Sequence, residues 1–416
     1  MLRELKRVED VLEEVLKYVT HRLKSIRVRT YDAVGRILAE DVYAKVDLPP
    51  FDRSAVDGYA VRSDDVFSAS PSSPVILRLS DSNEVHPGEA VKVCTGDPLP
   101  EGADAVIMRE HVVEREGFIE VLRPVARWGN VSRRGEDFKA GELILPRGSL
   151  IDQISVAAML ATGNLEISVY ECKIGLICTG SEIVEPEILK DVKDIEELSK
   201  RGIIVNTTRF LVKEAAESIG AIVEYYGIVP DDVNQISKAV KTLLERNDMV
   251  IVTGGTAVGE RDLTYRAIMS LNPDYMWRGL AIRPAKPTGI AVIKGKPVLM
   301  LSGFPVAAYV GFTVLGVPII YHMMNMSPIE KAMLRGVLTR RIAKPPSLRA
   351  YVRVRACVDR RDGVIKISPL ALTGSGLLST LIRGNAILEI PEELEGYEEG
   401  SQVWIRPVRD LNYCEE

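Results

Sequence analysis

Histidine and cysteine are scarce in this chain of 416 residues, and neither is arranged to hold a metal. The four histidines, His21, His86, His111 and His322, never fall at i, i+3 or i+4, which excludes a helix-borne histidine pair. The five cysteines, Cys94, Cys172, Cys178, Cys357 and Cys414, are odd in number and contain no C-x-x-C pair. That excludes a zinc ribbon and a disulfide framework, and it predicts free thiols in a reducing compartment. A basic surplus is also missing: 53 Lys and Arg stand against 58 Asp and Glu, a net charge of −5. This excludes a nucleic-acid coat, although a local basic pocket is compatible with it. No uninterrupted apolar stretch reaches the ~20 residues of a membrane helix. The opening MLRELKRVEDVLEEVL is charged throughout, unlike a signal peptide. Together these absences predict a cytoplasmic protein with no membrane and no nucleic-acid partner.

What is present is a globular composition, 46% hydrophobic and 27% charged. At about 150 residues per domain, the length allows two to three folding units. Leu5, Val8, Leu12, Val15, Leu16 and Val19 recur at helical spacing and predict a first amphipathic helix. A second is expected after Thr30, capped by Thr30 or Asp32 and ending near Leu38. From 47 to 146 the texture is strand and turn, with β-branched runs at 75–79, 90–94, 105–108 and 117–122. A helix at 152–162 follows. Residues 172–330 then alternate strand and helix, which predicts a parallel sheet with helices on both faces. Within this stretch 183–201 reads as a charged, loop-like insertion. After Pro345-Pro346 short strands return, as a small barrel or sandwich.

Three segments of the α/β stretch carry chemistry. The apolar strand ending at Thr253 runs into Gly254-Gly255-Thr256-Ala257-Val258-Gly259 and then a helix. Ligands bind at the carboxyl ends of parallel strands, where glycines let backbone N–H groups approach an anion. No Gly-Lys-Ser/Thr follows, so this is not a Walker A loop, nor is it G-x-G-x-x-G. An ordinary tight turn with Asp262 as a helix cap is the plainer alternative. Glu182, after Cys178-Thr179-Gly180-Ser181, and Asp231, after Pro230, close two other strands. With Asp262 they place three carboxylates on one rim, suited to Mg²⁺ held against phosphate. Capping of the following helix by Asp231 or Asp232 is again the plainer reading. Arg283-Pro284-Ala285-Lys286-Pro287 is a stiff loop holding two cations three residues apart, suited to an oxyanion. In the β-rich stretch, 49–60, 94–98 and 135–137 are dense in acids and turn formers.

Taken together these segments resemble one family. Phe51-Asp-Arg-Ser-Ala-Val-Asp-Gly-Tyr-Ala is similar to the F-D-N-S-A-M-D-G-Y-A signature of the molybdopterin molybdenumtransferases of the MoeA and gephyrin E-domain type. Thr95-Gly-Asp-Pro-Leu-Pro-Glu-Gly-Ala-Asp-Ala-Val resembles that family's T-G-A-P-V-P-x-G-A-D-A-V. Arg134-Gly-Glu-Asp, Thr179-Gly-Ser-Glu, Gly254-Gly-Thr-Ala-Val-Gly and Arg283-Pro-Ala-Lys-Pro match further blocks in the family's order, over essentially the whole chain. The resemblance implies a multidomain α/β plus β fold. Residues 1–46 and 147–171 would form an elongated linker domain and 47–146 a β-rich insert. Residues 172–330 would be a parallel α/β domain like that of MogA and MoaB, and 331–416 a C-terminal β-barrel.

The implied reaction takes adenylylated molybdopterin, molybdate or tungstate, and Mg²⁺, and releases AMP as the metal enters the dithiolene. The resemblance also implies a homodimer. In that scheme Gly254, Gly255 and Thr256 cradle phosphate, while Asp262, Glu182 and Asp231 organise Mg²⁺ and water. Arg283 and Lys286 hold the oxyanion, with Ser302, Arg353 and Ser375 at matching positions. Asp57, Thr95 and Asp137 act from across the dimer cleft. The chain departs from the usual pattern at Ala257, Phe304, Ala307 and Gly376, each of which removes a polar side chain. Two rivals differ in class: a molybdopterin adenylyltransferase consuming ATP, and a non-catalytic scaffold that binds partners without the acidic rim.

Overall fold

The computed structural model describes residues 4–190, 195–255, 262–328, 332–371 and 374–414. The chain divides into two compact units, Met1–Ile26 with Tyr170–Glu416, and Arg27–Val169.

In the first unit a parallel sheet forms where β-branched runs are long enough to be buried on both faces. Its strands lie in the order Ala221–Val229, Glu166–Thr179 (from Tyr170 in this unit), Met249–Thr253 and Lys296–Leu301. Helix Val233–Arg246 turns Ile236, Ala239, Val240 and Leu243 into the core, the i, i+3, i+4, i+7 spacing of one helical face. Asp232, not Asp231, is its cap and accepts from the Gln235 N–H at 2.8 Å.

The expected parallel sheet is present, and two further strands extend it. Gly289–Ile293 and Tyr275–Arg278 add to it antiparallel. The reason is a two-residue hairpin at Lys294-Gly295, both at positive φ, which joins Ile293 directly to Lys296. The first helix is shorter than expected, Val8–Val15, and buries Val8, Val11 and Val15. The expected loop at 183–201 contains the short strand Ile183–Val184 and a helical turn Ile195–Lys200.

One further element went unread. Residues Pro305–Met323 form a 19-residue apolar helix, with a π turn at Phe312–Gly316. By length and composition alone it could cross a membrane. About two thirds of it is buried inside the protein, however, the environment of a core helix.

The C-terminal strands of this unit close on themselves. Leu334–Leu338 pairs with Gln402–Pro407, then Ala386–Ile390, then Arg349–Val358, then Ile365–Ala371, which returns to Leu334–Leu338. The alternatives of barrel and sandwich thus resolve to a five-stranded closed barrel, filled by Val352, Val354, Leu388, Val403 and Ile405. Ile282–Arg283 adds a short parallel strand at Arg349–Ala350, which anchors the basic loop to the barrel. Cys357 and Cys414 form a disulfide, correcting the expectation of free thiols throughout. Cys94, Cys172 and Cys178 form no disulfide among the described residues. Parallel pairing of Asn412 with Cys357 brings the two sulfurs together, a proximity that a separation of 57 residues conceals.

The second unit holds a six-stranded sheet in the order Ala105–Met108, Gly58–Val61, Glu89–Val93, Val75–Ser80, Phe118–Val121 and Val112–Arg115. All four runs read from the sequence are strands of it. Helix Gln153–Ala161 also forms, capped by Asp152, which accepts from the Ser155 N–H at 2.8 Å. The helix expected after Thr30 does not. Only the turn Thr30–Asp32 forms, because the Thr30 hydroxyl donates to the Asn164 carbonyl at 2.6 Å and Gly35 takes φ +81°. Ile37 then bridges to Leu150 as extended chain.

Candidate functional site

Strand Met249–Thr253 ends in a turn that only glycine can make. Gly254 and Gly255 have φ of +94° and +60°. A Cβ on Gly254 would lie 2.1 Å from the Thr179 carbonyl oxygen, and one on Gly255 would lie 2.4 Å from the Thr264 hydroxyl. The turn is locked by the Gly254 N–H donating to the Leu301 carbonyl at 3.0 Å and by the Thr264 hydroxyl donating to the Gly254 carbonyl at 3.0 Å. Thr256 and Ala257 lie outside the described residues.

Beside this turn runs the loop Ser302-Gly303-Phe304. A Cβ on Gly303 would sit 3.5 Å from the Gly254 Cα, so the two backbones touch. The Thr208 hydroxyl donates to the Gly303 carbonyl at 2.7 Å, and the Phe304 N–H to the Ser302 hydroxyl at 3.2 Å. Next along the rim is the barrel: the Val306 N–H donates to the Ser375 carbonyl at 3.0 Å. The Phe304 ring lies over Gly376, where an added Cβ would be 3.1 Å from it. Two departures from the family pattern are therefore one event: the missing side chain at 376 leaves room for the ring at 304.

The expected acids take unequal positions. Glu182 and Asp231 are exposed, and an Asp231 oxygen accepts from the Ser181 N–H at 3.2 Å. Asp262 is 3% exposed and caps helix Leu263–Met269 by accepting from the Tyr265 N–H at 3.0 Å. Its other oxygen is ion-paired with Arg278. The plainer reading of Asp262 as a cap is therefore met, and an ion pair is added to it. Among the described residues, no group of three or more His, Cys, Asp or Glu side chains is placed to hold a metal. Glu182 and Asp231 still suit Mg²⁺, which commonly takes one or two carboxylates beside water and substrate phosphate. Asp262, with both oxygens engaged, does not.

Arg278, the ion-pair partner of Asp262, is the residue here that the sequence did not single out. Its only signal was a cation ending the apolar strand Tyr275–Arg278. Burial lowers its pKa, and its guanidinium also lies 5.8 Å from the Tyr265 ring. The nearby Cys178 thiol accepts from the Thr253 hydroxyl at 3.1 Å. Burial pushes its pKa up, so it is not a ready thiolate nucleophile.

The basic loop is closed by the Leu280 N–H donating to the Lys286 carbonyl at 2.9 Å and by a cis Arg283–Pro284 bond. Arg283 is half-buried and Lys286 exposed. Arg353 behaves differently from its expected role. It is 1% exposed beneath helix Leu378–Arg383 and donates to the Thr380 hydroxyl and the Tyr351 carbonyl, each at 3.2 Å. Burial also lowers its pKa.

In the second unit Asp57 and Thr95 are brought together. One Asp57 oxygen accepts from the Thr95 N–H at 2.7 Å and from its hydroxyl at 2.8 Å. These two bonds, the backbone one first, hold the Asp57 carboxyl below the usual range. Asp137 is exposed on a neighbouring loop, its N–H donating to the Leu48 carbonyl at 3.0 Å. That loop is tied to the 52–54 segment by the Arg134 N–H donating to Asp52 at 2.7 Å.

A glycine turn and exposed acids at parallel strand ends, in the same unit as a braced cationic loop, are the features expected of a ligand-binding domain of the α/β class. Comparison with known proteins makes the class specific. Residues 6–163 match the MoeA N-terminal region (domains I and II), 175–322 a probable molybdopterin binding domain, and 335–408 the MoeA C-terminal region (domain IV). A putative molybdopterin biosynthesis protein of Methanocaldococcus jannaschii is 39% identical over 97% of each chain. The molybdopterin molybdenumtransferase of Bacillus subtilis is 32% identical over 99% of this chain and 96% of its own. Among solved structures, the molybdopterin biosynthesis moeA protein of Pyrococcus horikoshii OT3 superposes with a TM-score of 0.75 at 32% identity, covering 97% of this chain and 99% of that one. The chain belongs to the MoeA family.

Proposed function

We propose that this chain is a molybdopterin molybdenumtransferase that inserts molybdate or tungstate into adenylylated molybdopterin, with Mg²⁺-dependent release of AMP. The observation that carries the reading is the contiguous rim of the first unit. There the Gly254-Gly255 turn touches the Ser302–Phe304 loop, whose Phe304 ring meets Gly376 while Val306 just beyond meets Ser375. End-to-end likeness to proteins named molybdopterin molybdenumtransferase supports it.

In this reading the Gly254-Gly255 turn, with Thr256 beyond it, receives the phosphate of the pterin side. Arg283 and Lys286 grip the oxyanion, a tetrahedral dianion that a braced arginine can meet with two parallel bonds. Ser302 and Ser375 supply hydroxyls beside it, and Arg353 contributes charge from beneath its helix. Glu182 and Asp231 hold Mg²⁺, which when bound offsets the negative charge of the phosphoanhydride oxygens. Asp262 orders the helix behind the turn and aligns water. The working division of the chain is 1–46 with 147–171, 47–146, 172–330 and 331–416.

The enzyme works in the cytoplasm as a homodimer, with Asp57, Thr95 and Asp137 supplied to each cleft by the second copy. Exposed apolar side chains of the second unit support a dimer: Tyr31 is 54% exposed, Leu165 67% and Ile154 72%. An Ile154→Asp chain that elutes as a dimer would argue against that face.

Release of AMP from adenylylated molybdopterin, with Mg²⁺ and with molybdate and tungstate in parallel, tests the activity. Oxyanion-dependent release is expected. A folded protein that releases none returns the reading to a scaffold.

A further inference from the structure

The C-terminal barrel carries a second basic site, apart from the rim described above. A cavity of about 740 Å³ opens on its outer face, and Arg355, Arg383 and Arg409 line it. Asp410 is the single acidic residue on the wall. Helix Leu378–Arg383 separates the two sites: Ser375 and Gly376, just before it, meet the Val306 backbone and the Phe304 ring, whereas Ile382, Arg383 and Gly384 at its far end line the cavity. At 1.5 Å per residue the helix spans about 9 Å.

The wall is built, not loose. Asn385 is its hub: its side-chain oxygen accepts from the Ala356 N–H at 2.8 Å, and its amide donates to the Ala356 and Asp410 carbonyls at 2.8 and 3.2 Å. The Cys357–Cys414 disulfide and the Cys414 N–H donating to the Val358 carbonyl at 3.0 Å fix the last strand against the barrel. Tyr413 is braced by Arg360, whose guanidinium lies 4.8 Å from its ring. Arg409 spends one N–H on the Ile382 carbonyl at 2.9 Å, which orients the head and leaves its other donors. Arg383 makes no ion pair or side-chain hydrogen bond among the described residues, and it is exposed.

Arg383 and Arg409 against the one carboxylate of Asp410 leave a surplus of positive charge around a concave, pre-formed space. The geometry points to a binding site for a small organic phosphate carrying at least two negative charges, with Arg383 and Arg409 as its main contacts. Arginine forks match phosphate oxygens in pairs, and a fixed wall lowers the ordering cost of binding. The site is independent of the activity proposed above.

Pyrophosphate is the probe. Calorimetric titration is run on the full chain carrying Arg283→Ala and Lys286→Ala, so that the cations of the rim do not contribute. Saturable binding is expected there, and Arg383→Ala with Arg409→Ala should weaken it at least about 10-fold, the effect of losing charge-assisted bonds. Should the pair of changes disturb folding, Arg383→Ala alone serves, because that side chain holds no part of the barrel together; a loss of about 3-fold or more is then expected. Unchanged affinity in a folded variant, or no pyrophosphate binding by the parent, overturns the site.

Discussion

Arg278, at the end of an edge strand, is ion-paired with Asp262, the cap of the helix that follows the glycine turn. The pair lies almost wholly out of solvent, with side-chain exposures of 13% and 4%. Removing one partner strands the other charge. Arg278→Ala should therefore cost about 3 kcal/mol of stability, seen as a lower urea midpoint. Asp262→Asn keeps an oxygen for the Tyr265 N–H but strands the Arg278 charge in turn, so it should fold with a lowered urea midpoint. Its AMP release should fall about 100-fold or more. Full activity in that variant would remove Asp262 from the site.

The glycine turn predicts a contrast between two alanine variants. Gly254→Ala forces a Cβ to within 2.1 Å of a carbonyl oxygen at φ +94° and should destabilise the chain by at least about 2 kcal/mol. At Gly303 the new Cβ would meet its nearest neighbour at 3.5 Å, an ordinary contact. Gly303→Ala should melt within a few degrees of the parent. Equal melting losses would mean that the turn is not the tight point.

These contrasts show where the sequence was legible. Buried runs such as Met249–Thr253 and alternating ones such as Ala386–Ile390 declare strands through local pattern, and Asp152 declares its helix as a cap. The motif order likewise exposed the glycine turn and the basic loop. What stayed hidden depends on partners far along the chain. Thr30 fails to start a helix because Asn164 takes its hydroxyl, Cys357 meets Cys414 through strand pairing, and Arg278 acquires meaning only opposite Asp262. The resemblance sets Arg353 beside the oxyanion, and nothing in the local sequence discloses that helix Leu378–Arg383 covers it.

The Thr95 contacts make a prediction about pH. Because the folded Asp57 pKa is lowered, the stability from these bonds is present above the ordinary aspartate value of about 3.9 and is lost as pH falls through the lower, folded value. Thr95→Val removes the hydroxyl donor but keeps the backbone one. The carboxyl titration of Asp57, followed by ¹³C NMR, should move upward part of the way to that ordinary value. No movement would show that the hydroxyl plays no part.

The disulfide closes a chain segment of 57 residues and ties the last strand to the barrel. Its reduction should cost about 2–4 kcal/mol of barrel stability. Scanning calorimetry with and without a thiol reductant reads this directly. Identical transitions, with loss of the bond verified by mass, would contradict it.

The account rests most heavily on the basic loop gripping an oxyanion, and AMP release by parent and Arg283→Ala/Lys286→Ala chains tests that claim directly. The parent should release AMP from adenylylated molybdopterin only when molybdate or tungstate is present. The double variant should lose at least about 100-fold of that release while keeping its melting temperature. Release that ignores the oxyanion, or survives loss of both cations, would contradict the account.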